Sequence, residues 1–125
     1  MVEESLVSLT EDQRNALCAI AKESWRISRV FNRMTQKLDA GELKRYKNQI
    51  SYFTKELDKN IQEFGLRIVN IEGQLYDPGM AASPINIDEF EPEDQLMVSQ
   101  MLDPIIMSNN GIIKTGTVFL GRIKQ

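Results

Sequence analysis

Apolar positions in the first half of the chain recur every three or four residues. Leu17, Ile20, Ser24, Ile27, Phe31, Met34 and Leu38 follow spacings of 3, 4, 3, 4, 3 and 4, with one polar member at Ser24. That rhythm predicts a helix from about Glu11 to Leu38 carrying a heptad-like seam, widened by Cys18, Trp25 and Val30. Thr10 with Gln13 three residues on forms a capping-box pattern, and Glu11 and Asp12 stand where the helix dipole favours anions. Leu43, Tyr46, Ile50, Phe53, Leu57, Ile61 and Phe64 repeat the rhythm and predict a second helix over about 40–64, opened by the capping pair Asp39 and Glu42. The step from Leu38 to Leu43 is five residues, so the two seams are out of phase. A kink or a hairpin turn is therefore expected at 38–41, and Gly65 is placed to end the second helix as a left-handed cap.

After Gly65 the period shortens. "LRIVNIEG" is rich in β-branched residues and reads as a strand, "QLMVSQML" and "PIIMS" as two more separated by Pro104. Asn110-Gly111 is a strong short-range hairpin signal and leads into a last β-branched run, inside which Gly116 predicts a bulge or a close backbone approach. "DPGMAASPINIDEFEPEDQ" reads as a Pro-rich acidic loop. The expected fold class is α+β: an N-terminal arm over 1–9, a helical region over 10–65, and a small head of four or so strands over 66–125.

Two helices of about 28 and 25 residues would run roughly 42 and 37 Å at about 1.5 Å per residue. A lone pair of them leaves half of its apolar stripe wet, and pairing two copies into a four-helix bundle removes that penalty. A homodimer is expected, with Leu17, Ile20, Ile27, Phe31, Met34, Ile50, Phe53 and Leu57 as its dimerisation residues.

Composition narrows the chemistry. The 125 residues contain no His and one Cys, which removes His-based acid–base catalysis, His-containing zinc sites and thiolate clusters. The acidic residues Asp88, Glu89, Glu91, Glu93 and Asp94 lack the spacing of a calcium loop and are interrupted by Pro92. No Gly-rich phosphate loop is present. The expectation is a protein that is no enzyme and holds neither metal nor cofactor. An acidic start, "MVEESLVSLTEDQ", and no apolar run near 20 residues point to a cytoplasmic protein without a membrane segment.

Charge is uneven. Residues 1–67 carry 12 Lys/Arg against 10 Asp/Glu, and residues 68–125 carry 3 against 8, giving the net −3. No basic residue lies between Arg67 and Lys114, so nucleic-acid binding through the second half is not expected, and a solvated acidic loop or a basic protein partner is. The basic side of the first helix, Lys22, Arg26, Arg29, Arg33 and Lys37, reads as solvated surface.

The order of parts also resembles a known family. Phe64-Gly65-Leu66, then a strand, then Gly73-Gln74-Leu75-Tyr76-Asp77-Pro78 resemble the Phe-Gly-Val/Leu element and the Gly-x-x-Phe-Asp-Pro turn of GrpE-type nucleotide exchange factors, and Ile113–Val118 resembles their closing strand. The likeness runs from about residue 55 onward. It departs at Met80-Ala81-Ala82-Ser83, where the family has His-Glu-Ala, and in the last strand, whose basic positions are reduced to Lys114. The resemblance implies a co-chaperone whose β head docks on the nucleotide-binding domain of a DnaK-type chaperone and promotes ADP release without binding nucleotide itself. Carried over by alignment, partner-facing positions would be Tyr76, Leu102, Asn110, Gly111 and Leu120. Tyr76 alternatively packs on Phe119 inside the head. The alternative function is a dimeric helical scaffold or assembly adaptor with no chaperone partner.

Overall fold

The computed structural model describes residues 9–123, and residues 1–8 of the expected N-terminal arm lie outside them. Among the described residues the chain is α+β, with two helices followed by a small β region. It divides into two compact units that meet at Arg67 and Ile68.

In the helical unit α1 spans Glu11–Thr35 and α2 spans Ala40–Gln62. The Thr10 hydroxyl accepts from the Gln13 N–H at 3.0 Å while the Gln13 side chain accepts from the Thr10 N–H at 3.0 Å, so the capping box is closed. Asp39 caps α2 by accepting from the Glu42 N–H at 2.9 Å. The first helix stops three residues short of the expected Leu38. There the N–H groups of Gln36, Lys37 and Leu38 each bond the carbonyl three residues back, a tightened final turn that hands the chain to the Asp39 cap. Gly65, after α2, has φ of 77°, the left-handed conformation that costs a glycine nothing.

The helices pack on one another, the second through the face its large residues mark and the first through a different one. Buried on α1 are Cys18, Ala21, Trp25, Ser28 and Thr35, a stripe with the same 3–4 rhythm displaced by one residue from the Leu17–Leu38 seam. All but Trp25 are small, so the helix backbones can approach closely, and α2 supplies the bulk with Leu43, Tyr46, Ile50, Leu57 and Ile61 at least half-buried. The Ser28 and Thr35 hydroxyls are satisfied inside by their own helix, donating at 2.6 Å to the carbonyls of Trp25 and Asn32. Phe31 meets Tyr46 edge to face, with ring centroids 6.3 Å apart. Ile20, Ile27 and Met34, expected among the dimerisation residues, lie outside this packing. They are 63, 62 and 60% exposed, with Val30 and Phe31 beside them at 40 and 41%.

Among the described residues the head has six strands where four or so were expected. They are β1 (Leu66–Val69), β2 (Ala82–Pro84), β3 (Leu96–Asp103), β4 (Ile105–Ser108), β5 (Gly111–Lys114) and β6 (Gly116–Arg122). They form two three-stranded sheets, ordered β1-β4-β5 and β2-β6-β3. Two corners divide the sheets. Pro104, fully buried, breaks the ladder between β3 and β4, and Thr115 separates β5 from β6. The single last strand expected from the β-branched run is therefore two strands in different sheets. Gly116 begins the second of them because a Cβ there would lie 2.8 Å from Met101 Cε and 2.9 Å from the Asp103 carbonyl oxygen. The expected close backbone approach is real and sits at the corner.

β2 runs parallel to β6, pairing Ala82 with Gly116 and Pro84 with Val118, in a segment expected to be loop. Its pairing continues beyond Pro84 through a side chain. Asn86 donates to the Leu120 carbonyl at 3.0 Å and accepts from the Leu120 N–H at 2.9 Å, standing in for one more strand residue. Val98, Met101, Ile105, Ile106, Val118 and Leu120, all at most 4% exposed, fill the head's core.

Candidate partner-binding face of the β head

The segment Gly73–Tyr76 is a turn that behaves as a strand edge. Gly73 takes φ of 87°, a conformation open to glycine, and turns the chain onto β3. Three backbone bonds then hold it there: Gly73 N–H to Val98 O at 2.8 Å, Val98 N–H to Gln74 O at 2.9 Å, and Tyr76 N–H to Leu96 O at 2.8 Å. Leu75 pairs across with Met97. The following Asp77-Pro78 closes on itself, with the Asp77 carboxylate accepting from Gly79 N–H at 3.2 Å and its carbonyl from Met80 N–H at 2.9 Å. This rigid edge leaves Leu75 67% exposed and Tyr76 half-buried.

Beside it lies a cleft of about 550 Å³. One wall is the turn, with Leu75, Tyr76 and Pro78, a second is the stretch that supplies Ile87, Phe90, Glu91, Pro92, Asp94 and Gln95, and Leu96 of β3 completes the lining. The second wall is the stretch expected to be a solvated acidic loop, and its acidic residues are indeed exposed or half-exposed. Its apolar members are not solvated filler, however. A short 3-10 turn over Ile87–Glu89 directs the chain so that Ile87 and Phe90 face the cleft. The signal available in the sequence was the apolar set Ile85, Ile87 and Phe90 among the carboxylates, too irregular for a strand or helix period.

The acidic wall is fastened at Asp94. Its carboxylate accepts from the Glu91 N–H at 2.9 Å and from Arg122 Nε at 3.0 Å, and the Arg122 guanidinium also stacks 5.4 Å from the Phe90 ring. The backbone N–H of Glu91 foremost, with Arg122 adding to it, holds Asp94 below its ordinary value of 3.8. The Ile123 N–H closes the seam by donating to Gln95 O at 3.0 Å.

The other positions suggested by resemblance fall in different surroundings. Leu102 is half-buried at an irregularity in β3, between the pairs Met101–Val118 and Asp103–Thr117. The β4–β5 turn is centred one residue earlier than expected. Ser108 pairs with Gly111, so Asn109 and Asn110 form the tip, and Gly111, with φ of 127°, starts β5. Asn110 is exposed and Gly111 half-buried. Leu120 is 4% exposed and belongs to the core. β6 alternates with 116, 118 and 120 inward, so Leu120 offers no surface to a partner, and this expectation is corrected. Tyr76 alone of the five lines the cleft.

Among the described residues no group of three or more Asp, Glu or Cys side chains is placed to hold a metal ion, and no helix is long and apolar enough to cross a membrane. No protein-family model, no curated protein and no solved structure matches the chain.

Proposed function

We propose that this protein is a non-enzymatic exchange factor of the GrpE type, acting on a DnaK-type chaperone through its β head while its helices pair with those of a second copy. The observation that carries the reading is the Gly73–Tyr76 edge. The turn that resembles the family's Asp-Pro element is bonded rigidly to β3 and presents Leu75 and Tyr76 on the surface, as an interface anchor must be presented. A factor of this kind works by differential binding. It docks more tightly on the open form of the nucleotide-binding domain than on the closed form, and linkage then requires that ADP affinity fall by the same factor. Nothing in that cycle asks the factor to make or break a bond.

The dimer is supported by the exposed stripe on α1. Ile20, Ile27, Phe31 and Met34, with Phe53 of α2 at 41%, are left uncovered when the pair of helices has closed on itself. In the proposed bundle each helical hairpin contributes this stripe to a second copy. Leu17, Ile50 and Leu57, half-buried already, belong to the packing within one chain.

The test is stopped-flow release of a fluorescent ADP analogue from candidate DnaK-type chaperones, with and without the protein. Acceleration that disappears with Tyr76→Ala supports the reading. A protein that accelerates release from none of them, yet co-purifies with a stable multi-subunit assembly, is instead the dimeric scaffold.

A further inference from the structure

We infer that the cleft between the Gly73–Tyr76 edge and the acidic wall is a docking groove for an extended peptide segment of a partner protein, one bearing a bulky aliphatic anchor flanked by lysine or arginine. The inference deepens the reading of the head as a docking surface but needs no exchange reaction. Two independent features fix the chemistry of the occupant.

The first is apolar. Leu75, Tyr76, Pro78, Ile87, Phe90, Pro92 and Leu96 line one cleft of about 550 Å³, enough to receive one or two large side chains. Leu75 at 67% and Ile87 at 42% exposure are large apolar side chains left in water in the lining of that cleft. A folded chain of this size gains by covering such a pair, and the core of the head leaves them uncovered. The walls are also preorganised. One is held by three backbone hydrogen bonds to β3, and the other is pinned by Asp94 to Glu91 and Arg122, so little ordering cost remains when an occupant arrives.

The second is charge. Glu91 and Asp94 line the cleft, Asp77, Asp88, Glu89 and Glu93 are exposed close along the chain, and no basic residue occurs between Arg67 and Lys114. Arg122 offsets Asp94 by pairing with it, which leaves Asp77, Asp88, Glu89, Glu91 and Glu93 to set the sign of the rim. An acidic segment would be repelled, while a basic one gains attraction and a faster approach. An apolar floor with an acidic rim selects an apolar anchor with cationic neighbours.

Fluorescence anisotropy on the full chain tests this, using a short fluorescein-labelled peptide with a central leucine between lysines. Two control peptides carry glutamates in place of the lysines, or serine in place of the leucine. The groove predicts binding of the first peptide, weakened by salt, and about tenfold or more weaker binding of both controls. Leu75→Ser and Ile87→Ser should each weaken it to a similar degree with the far-ultraviolet circular dichroism unchanged. Ile112→Ser, which removes a 51% exposed side chain on β5, should leave it intact. Equal binding of lysine- and glutamate-flanked peptides, indifference to the Leu75 and Ile87 changes, or no binding of any peptide would overturn the proposal. Peptide binding without accelerated ADP release sinks only the exchange reading; accelerated release that ignores both groove variants sinks only the groove.

Discussion

The Glu72 side chain holds the backbone of Met101, and the Met101 side chain holds the backbone of Ile71, next to Glu72. The Met101 N–H donates to Glu72 Oε2 at 2.7 Å, and the Met101 sulfur accepts from the N–H of Ile71 at 3.2 Å. Met101 sits in β3 just before one of its two irregularities, where the ladder to β6 is interrupted, and it is wholly buried. An N–H freed there has to be satisfied inside the protein. The Glu72 carboxylate does so while tying the start of the Gly73 turn to the strand on which that turn lies. Glu72→Ala should therefore destabilise the head by about 1–3 kcal/mol, the cost of orphaning a buried donor. Glu72→Gln keeps an acceptor oxygen and should recover part of that. Urea unfolding of the three proteins, compared at equal slope, reads both values.

Gly116 makes a different demand. A methyl group there has 2.8 Å to Met101 Cε, 2.9 Å to the Asp103 carbonyl and 3.0 Å to Ile105 Cγ1. Met101 can flex at its tip, but the Asp103 carbonyl is backbone at the Pro104 corner. Gly116→Ala should cost about 1–3 kcal/mol as an overpacked core does. Gly121→Ala, whose nearest neighbour would be Ser99 Cβ at an ordinary 3.5 Å, is the control and should cost far less. A thermal melt in which the two variants are equal would show that the corner relaxes.

These two positions also mark how far the residues alone could be read. The helix starts were legible because capping is local chemistry: Thr10 with Gln13, and Asp39 with Glu42, act within one turn. The inner face of α1 was not legible, because periodicity gives a stripe without saying what covers it. Cys18, Ala21, Ser28 and Thr35 recur with the same rhythm as Ile20, Ile27 and Met34, and only the partner helix decides which faces inward. β1 and β4 announced themselves through β-branched residues, and β3 through a short apolar run ended by Pro104. β2 could not, since three residues ending in Pro84 become a strand only by pairing with β6, more than thirty residues away. The cleft failed to show for the same reason. Leu75 and Ile87 come together through long-range pairing, and the carboxylates around Ile87 made that wall look like solvent-facing loop.

Asp94 gives the head an acid dependence with a definite sign. Its folded value lies below the ordinary 3.8, chiefly because the Glu91 N–H bonds the charged form. The stabilisation it contributes is therefore present above the unfolded value and is lost as pH falls through the lower folded value. Asp94→Asn should remove that part of the acid sensitivity: the variant is less stable than the parent at neutral pH, modestly so because the Arg122 partner is exposed and screened, and the two converge below about pH 4 as the parent loses the contribution. Denaturant midpoints measured from pH 7 downward for both proteins decide it. Parallel curves would mean that the carboxylate does no more than fix geometry.

The exposed stripe of α1 yields the prediction with the largest expected signal. Ile20, Ile27 and Met34 lie one heptad apart and are at least 60% exposed, so a charge placed among them meets no core in a single chain. If a second copy covers the stripe, a charge buried there without a partner is costly, and Ile27→Glu should convert the dimer to monomer at micromolar concentration. Helix content should persist, because Cys18, Ala21, Trp25, Ser28 and Thr35 still pack on α2. Ala21→Glu attacks that inner face instead and should unfold the helix pair itself. Sedimentation equilibrium with circular dichroism separates the two effects. An unchanged mass for Ile27→Glu beside a dimeric parent protein would place the contact between copies elsewhere, and a monomeric parent would leave the stripe to some other partner.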